Sequence, residues 1–252
     1  MERKIATGVS GLDELIGGGF PEGRVILAIG GPGTGKTIMC SQFLYKGIQN
    51  HNENGVFISL DESKEHFYSE MRQFGWDFAE AEKNRKFAFI DATQAQRVSM
   101  LKETLYKEES LSLKGKQLPI DQLVQEINQK VQAVKAKRVA VDTLAALFYR
   151  FLEPMERRIA VVDLIESLSS MPVTSVITTE LGQLSLRRKP SEEEYLTHGV
   201  IMMQTLFSGG TATRALQIEK LREAKVNHNL VPYNIDKNGI EVFPNMPLFG
   251  EK

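Results

Sequence analysis

Short apolar segments alternate with stretches of helical spacing along most of this chain. Five apolar segments predict buried strands, at residues 25–29, 55–60, 87–91, 138–143 and 173–180. Between them, apolar side chains recur at the spacing of an amphipathic helix, at residues 38–48, 64–74, 121–134 and 155–169. Strands that alternate with helices indicate an α/β protein with a mainly parallel, twisted sheet flanked by helices.

The pattern changes near residue 200, where strands follow each other without intervening helices. Residues 200–207 and 213–221 flank one turn, at 208–211, and residues 232–235 and 240–243 flank another, at 236–239. Turns rich in Gly, Asn and Asp between strands are typical of hairpins, so we expect antiparallel hairpins at the carboxyl-terminal end. Elsewhere, a short helix is predicted after a cap at Ser10, and the polar residues 93–118 are interpreted as a variable insertion.

Composition and charge narrow the class of protein. The chain has 252 residues, which suits one domain over residues 1–252. Its 31 basic and 32 acidic side chains give the whole chain no charge excess of the kind that polyanion binders carry. Cys40 is the single cysteine, which excludes an internal disulfide or a cysteine-built metal site. No apolar run approaches the roughly 20 residues of a membrane span and no signal-peptide core follows Met1, so we expect a cytoplasmic protein without membrane association.

The most specific chemical signal directly follows the first predicted strand. Residues 30–37, Gly-Gly-Pro-Gly-Thr-Gly-Lys-Thr, fit the pattern G-x-x-x-x-G-K-[ST] between an apolar strand and an amphipathic helix. In this setting, glycines let backbone N–H groups approach phosphate oxygens at a helix N-terminus. Lys36 would reach the β- and γ-phosphates and assist catalysis, and the Thr37 hydroxyl would bind Mg²⁺. A chance glycine-rich turn is the alternative, but the filled pattern and both flanks favour a nucleoside triphosphate site. Its predicted contacts are Gly30, Gly33, Thr34, Gly35, Lys36, Thr37 and Ile38.

Two carboxylates follow the predicted strand at residues 55–60. Ligands of open parallel sheets bind beyond the carboxyl ends of the strands, which is where Asp61 and Glu62 lie. A carboxylate there can orient the water that attacks the γ-phosphate and accept its proton. The alternative is that Ser63 caps the next helix and the acids favour its positive end. Beside a phosphate loop, we favour a catalytic role.

Two more strands end in polar residues at the same predicted edge. Asp142 lies at the end of an apolar strand downstream of the phosphate loop, which fits the aspartate that completes the Mg²⁺ shell with Thr37. An Asp after a strand is common by itself, so this interpretation depends on the phosphate loop. Thr179 and Glu180 end the next strand and would also face the nucleotide cleft.

Taken together, these motifs resemble the KaiC family of RecA-type ATPases over residues 7–244. The segments that carry the resemblance are Thr7-Gly8 through Gly18-Gly19, residues 30–37, Gln42-Phe43-Leu44-Tyr45 with Gly47, Gly55-Val56-Phe57, Phe74-Gly75-Trp76-Asp77, Asp142 and Lys220-Leu221-Arg222. The resemblance implies a RecA-like P-loop NTPase core with ATP and Mg²⁺ as ligands. It also implies Mg²⁺-dependent ATP hydrolysis in a homo-oligomeric ring, usually a hexamer, with ATP between neighbouring subunits.

The resemblance also assigns roles to individual residues. Asp61 and Glu62 match the family's pair of catalytic acids, with Glu62 as the water-activating residue and Asp61 as its helper. Lys220 and Arg222 match residues that reach the γ-phosphate of the neighbour's ATP, whereas their spacing alone would equally suit a charged strand edge. A cation delivered by another subunit stabilises the transferred phosphoryl group and makes hydrolysis depend on assembly. The nucleotide contacts implied in this segment are Lys220, Leu221 and Arg222.

The chain departs from the family pattern next to these cations. Glu223 stands where the family usually has Gly, Val226 stands where it has His, and His228 comes two residues late. His198 replaces an Asp. These departures affect the nucleotide contacts expected from this segment.

A second departure concerns phosphorylation. An autophosphorylating domain of that family carries adjacent Ser and Thr residues, where this chain has Glu194 and Tyr195. We therefore do not expect the same autokinase activity.

Three functions stay open from the residues alone. The first is a slow ATPase that acts as a regulatory or signalling switch, with a protein client. The second is a RecA/RadA paralogue that binds single-stranded DNA through Arg187, Arg188 and Lys189, although residues 192–194 in the same loop are acidic and a solvated loop is the simpler interpretation. The third is an ATP-dependent interaction module with little turnover.

Overall fold

The computed structural model describes residues 3–93, 120–151, 153–181, 189–208, 210–224 and 226–248. The strands are β1 (Lys4–Ile5), β2 (Phe20–Pro21), β3 (Val25–Gly30), β4 (Gly55–Ser59), β5 (Phe87–Asp91), β6 (Arg138–Asp142), β7 (Thr174–Glu180), β8 (Gly199–Ser208), β9 (Thr211–Leu221), β10 (Val231–Asp236) and β11 (Gly239–Val242). Of these, β1 and β2 form a small antiparallel pair. The predicted insertion at residues 93–118 lies outside the described residues except for Thr93.

The remaining strands form one nine-stranded sheet in the order β11-β10-β9-β8-β3-β7-β6-β4-β5. Strands β3 to β8 are parallel to their neighbours in this group. The last three strands are antiparallel, with β8 and β9 joined as one hairpin and β10 and β11 as another. The predicted mainly parallel sheet with carboxyl-terminal antiparallel hairpins is therefore confirmed.

Helices cover both faces of this sheet. They are α1 (Leu12–Leu15), α2 (Lys36–His51), α3 (Lys64–Arg72), α4 (Phe78–Lys83), α5 (Ile120–Val134), α6 (Ala145–Arg150), α7 (Pro154–Ser170) and α8 (Glu192–Leu196). None of the helices in the described ranges is both long and apolar enough to cross a bilayer.

The two helical layers bury alternate residues of each strand. On β3, Ile26 and Ala28 pack in the cluster that contains α1 to α4, and Leu27 packs in the opposite cluster with α5 to α7. The period-two alternation of a strand produces this division. Full burial of a Leu or Ile contributes roughly 1.5–3 kcal/mol, so the two clusters hold β3 and the loop that follows it in place.

Two predicted helix ends are wrong. The helix predicted after Ser10 begins at Leu12, and Gly11 precedes it in a left-handed conformation with φ 77° and no side-chain cap. Ser10 instead bridges to Glu241 of β11, because the tertiary contact overrides the local capping preference. The helix predicted to end at residue 74 ends at Arg72, because Gly75 (φ 72°) turns the chain there. Ser63 does cap α3, accepting a hydrogen bond from the His66 N–H at 3.5 Å.

The buried guanidinium of Arg138 connects β6 to helix α2 and to the segment after β1. The side chain of Arg138, at the start of β6, is fully buried, and its Nε donates to the Glu53 carboxylate at 2.8 Å. Its Nη1 donates to the carbonyls of Ala6 (2.9 Å) and Phe43 (2.8 Å). Burial lowers the pKa of Arg138, and the bond to Glu53 opposes that shift. Gly47 makes room for this guanidinium, since a Cβ there would overlap it.

Candidate functional site

The predicted phosphate loop lies between β3 and α2. Gly30 packs so closely that a Cβ there would be 2.5 Å from Thr34 Oγ1 and 2.6 Å from the Met203 carbonyl oxygen. At Gly33, by contrast, a Cβ would meet nothing within 4 Å, and its φ of 73° favours glycine. The loop is therefore fixed against the sheet on one side and open on the other, as a phosphate cradle requires.

The loop ends at the amino terminus of α2. Gly35 adopts a left-handed conformation (φ 90°) and the helix begins at Lys36, so unpaired N–H groups and the positive end of a 16-residue helix face the cradle. The Lys36 ammonium donates to the carbonyls of Gly30 (2.9 Å) and Gly31 (3.1 Å), over the loop itself. Ile38, another predicted contact, is half-buried in the first turn of α2. This arrangement suits a multiply charged anion.

Thr37 and Asp142 are in direct contact, although 105 positions separate them. The Thr37 hydroxyl donates to Asp142 Oδ2 at 2.6 Å, and the Thr178 hydroxyl donates to the other carboxylate oxygen. Hydroxyl and carboxylate oxygens are donors that suit Mg²⁺. Among the described residues, no group of three or more His, Cys, Asp and Glu side chains could hold a metal by itself. The Thr37 hydroxyl and the Asp142 carboxylate are therefore oxygen donors that could hold a Mg²⁺ ion.

The acidic pair follows β4 at the same edge of the sheet. Ser59 on β4 pairs in register with Asp142 on β6, so the two strand ends are neighbours. The Ser59 hydroxyl donates to the Glu62 carbonyl at 2.6 Å and accepts from the Glu62 N–H at 3.0 Å. These bonds fix the turn that presents Asp61 and Glu62.

Burial and neighbouring charge favour the protonated form of both acids. Burial raises the pKa of Asp61 to about 6, and the charge of Asp142 contributes to that shift. Burial likewise raises the pKa of Glu62 to about 7, followed by the charges of Glu70 and Asp61. A carboxyl group whose pKa lies near neutral pH is suited to accept a proton during catalysis.

The raised pKa predicts a pH-dependent effect of Glu62→Gln on the free protein. The folded state binds the Glu62 proton more tightly than the unfolded state, whose pKa is near 4.5, so the stability from this group is lost as pH rises towards 7. Above pH 7, the half-buried carboxylate is charged and the amide is not. After allowance for solvent screening, Glu62→Gln is expected to raise the free energy of unfolding by up to about 1 kcal/mol at pH 8.

Thermal denaturation without nucleotide at pH 8 and pH 5 measures this effect. Glu65→Gln, an exposed change on α3, serves as the control. An equal gain from Glu62→Gln at both pH values contradicts the prediction.

The end of β7 completes this edge. Glu180 pairs in register with Gly30, and it is exposed, whereas Thr179 is buried. Glu180 therefore lies beside the loop, whereas the buried Thr179 side chain belongs to the sheet; that both face a nucleotide stays a prediction.

Lys220 and Arg222 lie away from the loop of their own chain. Lys220 of β9 pairs with Val200 of β8, which pairs with Leu27 of β3. Lys220 therefore lies two strands from β3 and level with Leu27, which precedes the loop by about 10 Å along the strand. Its ammonium donates to the Glu194 carbonyl of α8. Arg222 Nη2 donates to the Tyr195 carbonyl at 3.3 Å.

The residues that depart from the family pattern have contacts of their own near these cations. Glu223 has a φ of 64°, a conformation that favours glycine, and its carboxylate accepts from Arg24 at 2.7 and 2.9 Å. His198 Nδ1 accepts from the Val25 N–H at 3.3 Å, and its pKa is lowered by burial and then by Arg24. His228 contacts the Ile218 carbonyl at 2.8 Å. These residues therefore stabilise the end of β9 and its connection to β3.

Sequence patterns did not predict two sets of contacts made by the carboxyl-terminal hairpin. The Tyr233 hydroxyl of β10 donates to the Thr34 carbonyl at 2.6 Å. Gln42 of α2 donates to the Gly8 and Ile240 carbonyls and accepts from the Ile240 N–H. An aromatic side chain in a strand and an amide in a helix carry no local signal of these contacts.

In the loop proposed to bind DNA, Arg187 and Arg188 lie outside the described residues. Lys189 is described and is exposed. No contact of the described residues favours a nucleic-acid site there.

Comparison with known proteins identifies the family. The family described as "ATPase: KaiC" matches residues 5–246. The UPF0273 protein MJ1359 of Methanocaldococcus jannaschii is 32% identical over 248 residues, which cover 98% of each chain. The circadian clock oscillator protein KaiC of Synechococcus elongatus is 29% identical over 242 residues, which cover 96% of this chain but 44% of the clock protein.

A solved structure agrees with these matches. The crystal structure of the KaiC-like protein PH0186 from Pyrococcus horikoshii OT3 has a TM-score of 0.81 and 34% identity, and the match covers 97% of this chain and 100% of that one. The RecA-like fold expected from the motifs is thereby confirmed. Since the match includes the phosphate loop and the strands that carry the acids, the chain belongs to the KaiC family of ATPases.

Proposed function

We propose that this protein is a Mg²⁺-dependent P-loop ATPase that hydrolyses ATP slowly at the interfaces between copies of a homo-oligomeric ring. The observation that supports this is that the predicted site residues of one chain fall into two separate groups. The phosphate loop, Thr37, Asp142 and the acidic pair meet at one edge of the sheet. Lys220, with Arg222 just after it, lies two strands from β3 and away from this loop. One chain therefore presents two incomplete halves of a site.

Each residue of the first half has a distinct task. The loop N–H groups and Lys36 bind the phosphates of ATP, and Thr37 and Asp142 would hold Mg²⁺, whose charge neutralises the phosphate oxygens when bound. Glu62 orients the attacking water and accepts its proton, with Asp61 as its helper. The two hydrogen bonds between the Ser59 hydroxyl and the Glu62 backbone keep residue 62 at the end of β4.

The second half serves a neighbouring copy. Burial lowers the pKa of Lys220, and the charge of Arg222 lowers it further, because the two side chains lie near each other. In the ring, Lys220 and Arg222 reach the γ-phosphate on the neighbour's loop and stabilise charge in the transition state. Hydrolysis then depends on assembly, for which the family resemblance implies a hexamer.

The proposed biological role is a regulatory or signalling ATPase of the cytoplasm that acts on a protein client as a single domain, residues 1–252. We do not propose a serine/threonine autokinase. The buried Glu194 carboxylate accepts from the Ser191 N–H at 2.7 Å in a capping box on α8, so this position is structural and offers no hydroxyl.

A mixing experiment tests the shared site. Lys36→Ala is expected to abolish ATP binding to its own loop, and Arg222→Ala to lower turnover by roughly 1,000-fold, as for other arginines supplied in trans. When the two variants are co-expressed in equal amounts, about one interface in four combines an intact loop with an intact Arg222, so turnover should recover to about a quarter of wild type.

In the matched control, Lys36→Ala is co-expressed with the Lys36→Ala/Arg222→Ala double variant instead of with Arg222→Ala. No subunit in that mixture has an intact loop. Recovery with that partner, or no recovery with Arg222→Ala, contradicts the shared site. Turnover per subunit is also measured against protein concentration. A protein that binds ATP but shows no turnover at any concentration is an ATP-dependent interaction module instead.

A further inference from the structure

The hairpin of β10 and β11 extends past the end of β3 and covers the phosphate loop. Val231 pairs with Leu216, which lies level with Met203 and therefore with Gly30, the last residue of β3. Tyr233 is two residues further on, is 1% exposed, and donates its hydroxyl to the Thr34 carbonyl at 2.6 Å. A side chain from the carboxyl-terminal hairpin thus supports the loop from within the core.

Other contacts hold this hairpin against α2. Gln42 donates to the Ile240 carbonyl at 3.0 Å and accepts from the Ile240 N–H at 2.6 Å. Ile235 packs so closely under the loop that a Cβ on Gly35 would lie 2.6 Å from its Cδ1. These contacts fix the hairpin, and with it Tyr233, against α2 and the loop.

The anchored carbonyl fixes an N–H group of the loop. A trans peptide unit is planar, and its C=O and N–H point in opposite directions. Because the Thr34 carbonyl points inward to Tyr233, the N–H of Gly35 in the same peptide unit points outward, away from the core. That is the open side of the loop, where the cradle receives an anion.

Packing explains the ring of Tyr233 but not its hydroxyl. The ring belongs to the apolar cluster on the α2 face, where phenylalanine would fill nearly the same volume. A buried hydroxyl is costly unless it has a hydrogen-bond partner. Burial raises the pKa of Tyr233, so the hydroxyl stays protonated and donates. Its partner in the structure is the loop.

We propose that Tyr233 is a positioning residue for the phosphate loop, whose hydroxyl fixes the Thr34–Gly35 peptide so that the Gly35 N–H faces the phosphates of the nucleotide. This inference rests on the proposed binding of ATP at the loop. It adds a requirement for the carboxyl-terminal hairpin, which the loop motif itself does not contain.

Tyr233→Phe tests the proposal, because it removes the hydroxyl alone. The dissociation constants for ATP and ADP are expected to rise by about 5- to 10-fold, as for the loss of one well-placed hydrogen bond. Adenosine, which has no phosphate, should bind as it does to wild type. Measurement well below the melting temperature of each variant keeps lost stability from lowering the bound fraction.

Two further variants make the test specific. Tyr68→Phe is the matched control, because its hydroxyl donates to Glu82 at 2.9 Å on the α3–α4 surface, and it should leave the affinity for ATP unchanged. Replacement of Tyr233 by 4-aminophenylalanine retains a donor at the same ring position and should restore the affinity to within about twofold of wild type.

The outcomes separate this inference from the proposed function. If wild-type protein binds no ATP, the proposed function fails. If wild type binds ATP and Tyr233→Phe binds it equally well, or loses adenosine affinity to the same degree, the role of Tyr233 fails. Weak binding by the 4-aminophenylalanine protein also overturns it, including in the case where Tyr233→Phe does not fold.

Discussion

Glu62→Gln is expected to lower ATP turnover by at least about 100-fold while the affinity for ATP stays within about twofold of wild type. The amide keeps the size of the carboxylate and can still contact a water molecule, but it cannot accept its proton. The turn that carries residue 62 should be unchanged, since the Ser59 bonds to this residue involve its backbone. Single-turnover hydrolysis and equilibrium nucleotide binding, measured on the same preparation, test both parts.

The control is Glu65→Gln, which lies on the exposed first turn of α3 and should keep full turnover. Full turnover by Glu62→Gln removes the water-activating role from this residue. Asp61→Asn then becomes the informative variant, because Asp61 is the other acid in the turn. The inactive Glu62→Gln protein, if it retains ATP, also offers a stable bait for the proposed client.

Arg138→Met is expected to lower the free energy of unfolding by about 3–5 kcal/mol, as for the loss of one partner from a buried ion pair. The change leaves the Glu53 carboxylate without its cation and two backbone carbonyls, of Ala6 and Phe43, without a donor. For a chain of this size the melting temperature should fall by roughly 6–20 °C. Thermal and chemical denaturation measure the loss.

Arg158→Ala provides the comparison with an exposed ion pair. Arg158 and Glu192 are 3.2 Å apart, and both side chains are more than half exposed (58% and 61%), so this change should cost less than about 0.5 kcal/mol. Addition of Glu53→Gln to Arg138→Met should recover part of the loss, because the unpaired charge is then removed. Arg138→Met with near wild-type stability contradicts the view that this pair anchors the start of β6.

Arg138 and Arg222 illustrate where prediction from the sequence ends. Arg138 begins an apolar strand, and a strand-end arginine is usually solvated, so the sequence predicts the strand but not the burial of the cation. Its partners come from Glu53 and from backbone carbonyls of distant segments. Likewise, the segment with Arg222 was assigned by resemblance, and the register of β9 with β8 is what places it away from its own loop.

The sequence by itself determined the phosphate loop, the alternation of strands and helices and the order of the acidic residues. These features depend on neighbours a few positions apart, and local sterics and hydrophobic periodicity act over that range. The meeting of Thr37 with Asp142 also followed from the sequence, because the carboxyl ends of parallel strands share an edge. Only the tertiary structure decided that Tyr233 holds the Thr34 carbonyl across 199 positions and that Ser10 bridges to β11 instead of capping a helix. Such contacts are set by how distant elements pack, and a residue's immediate neighbours in the chain carry no information about that packing.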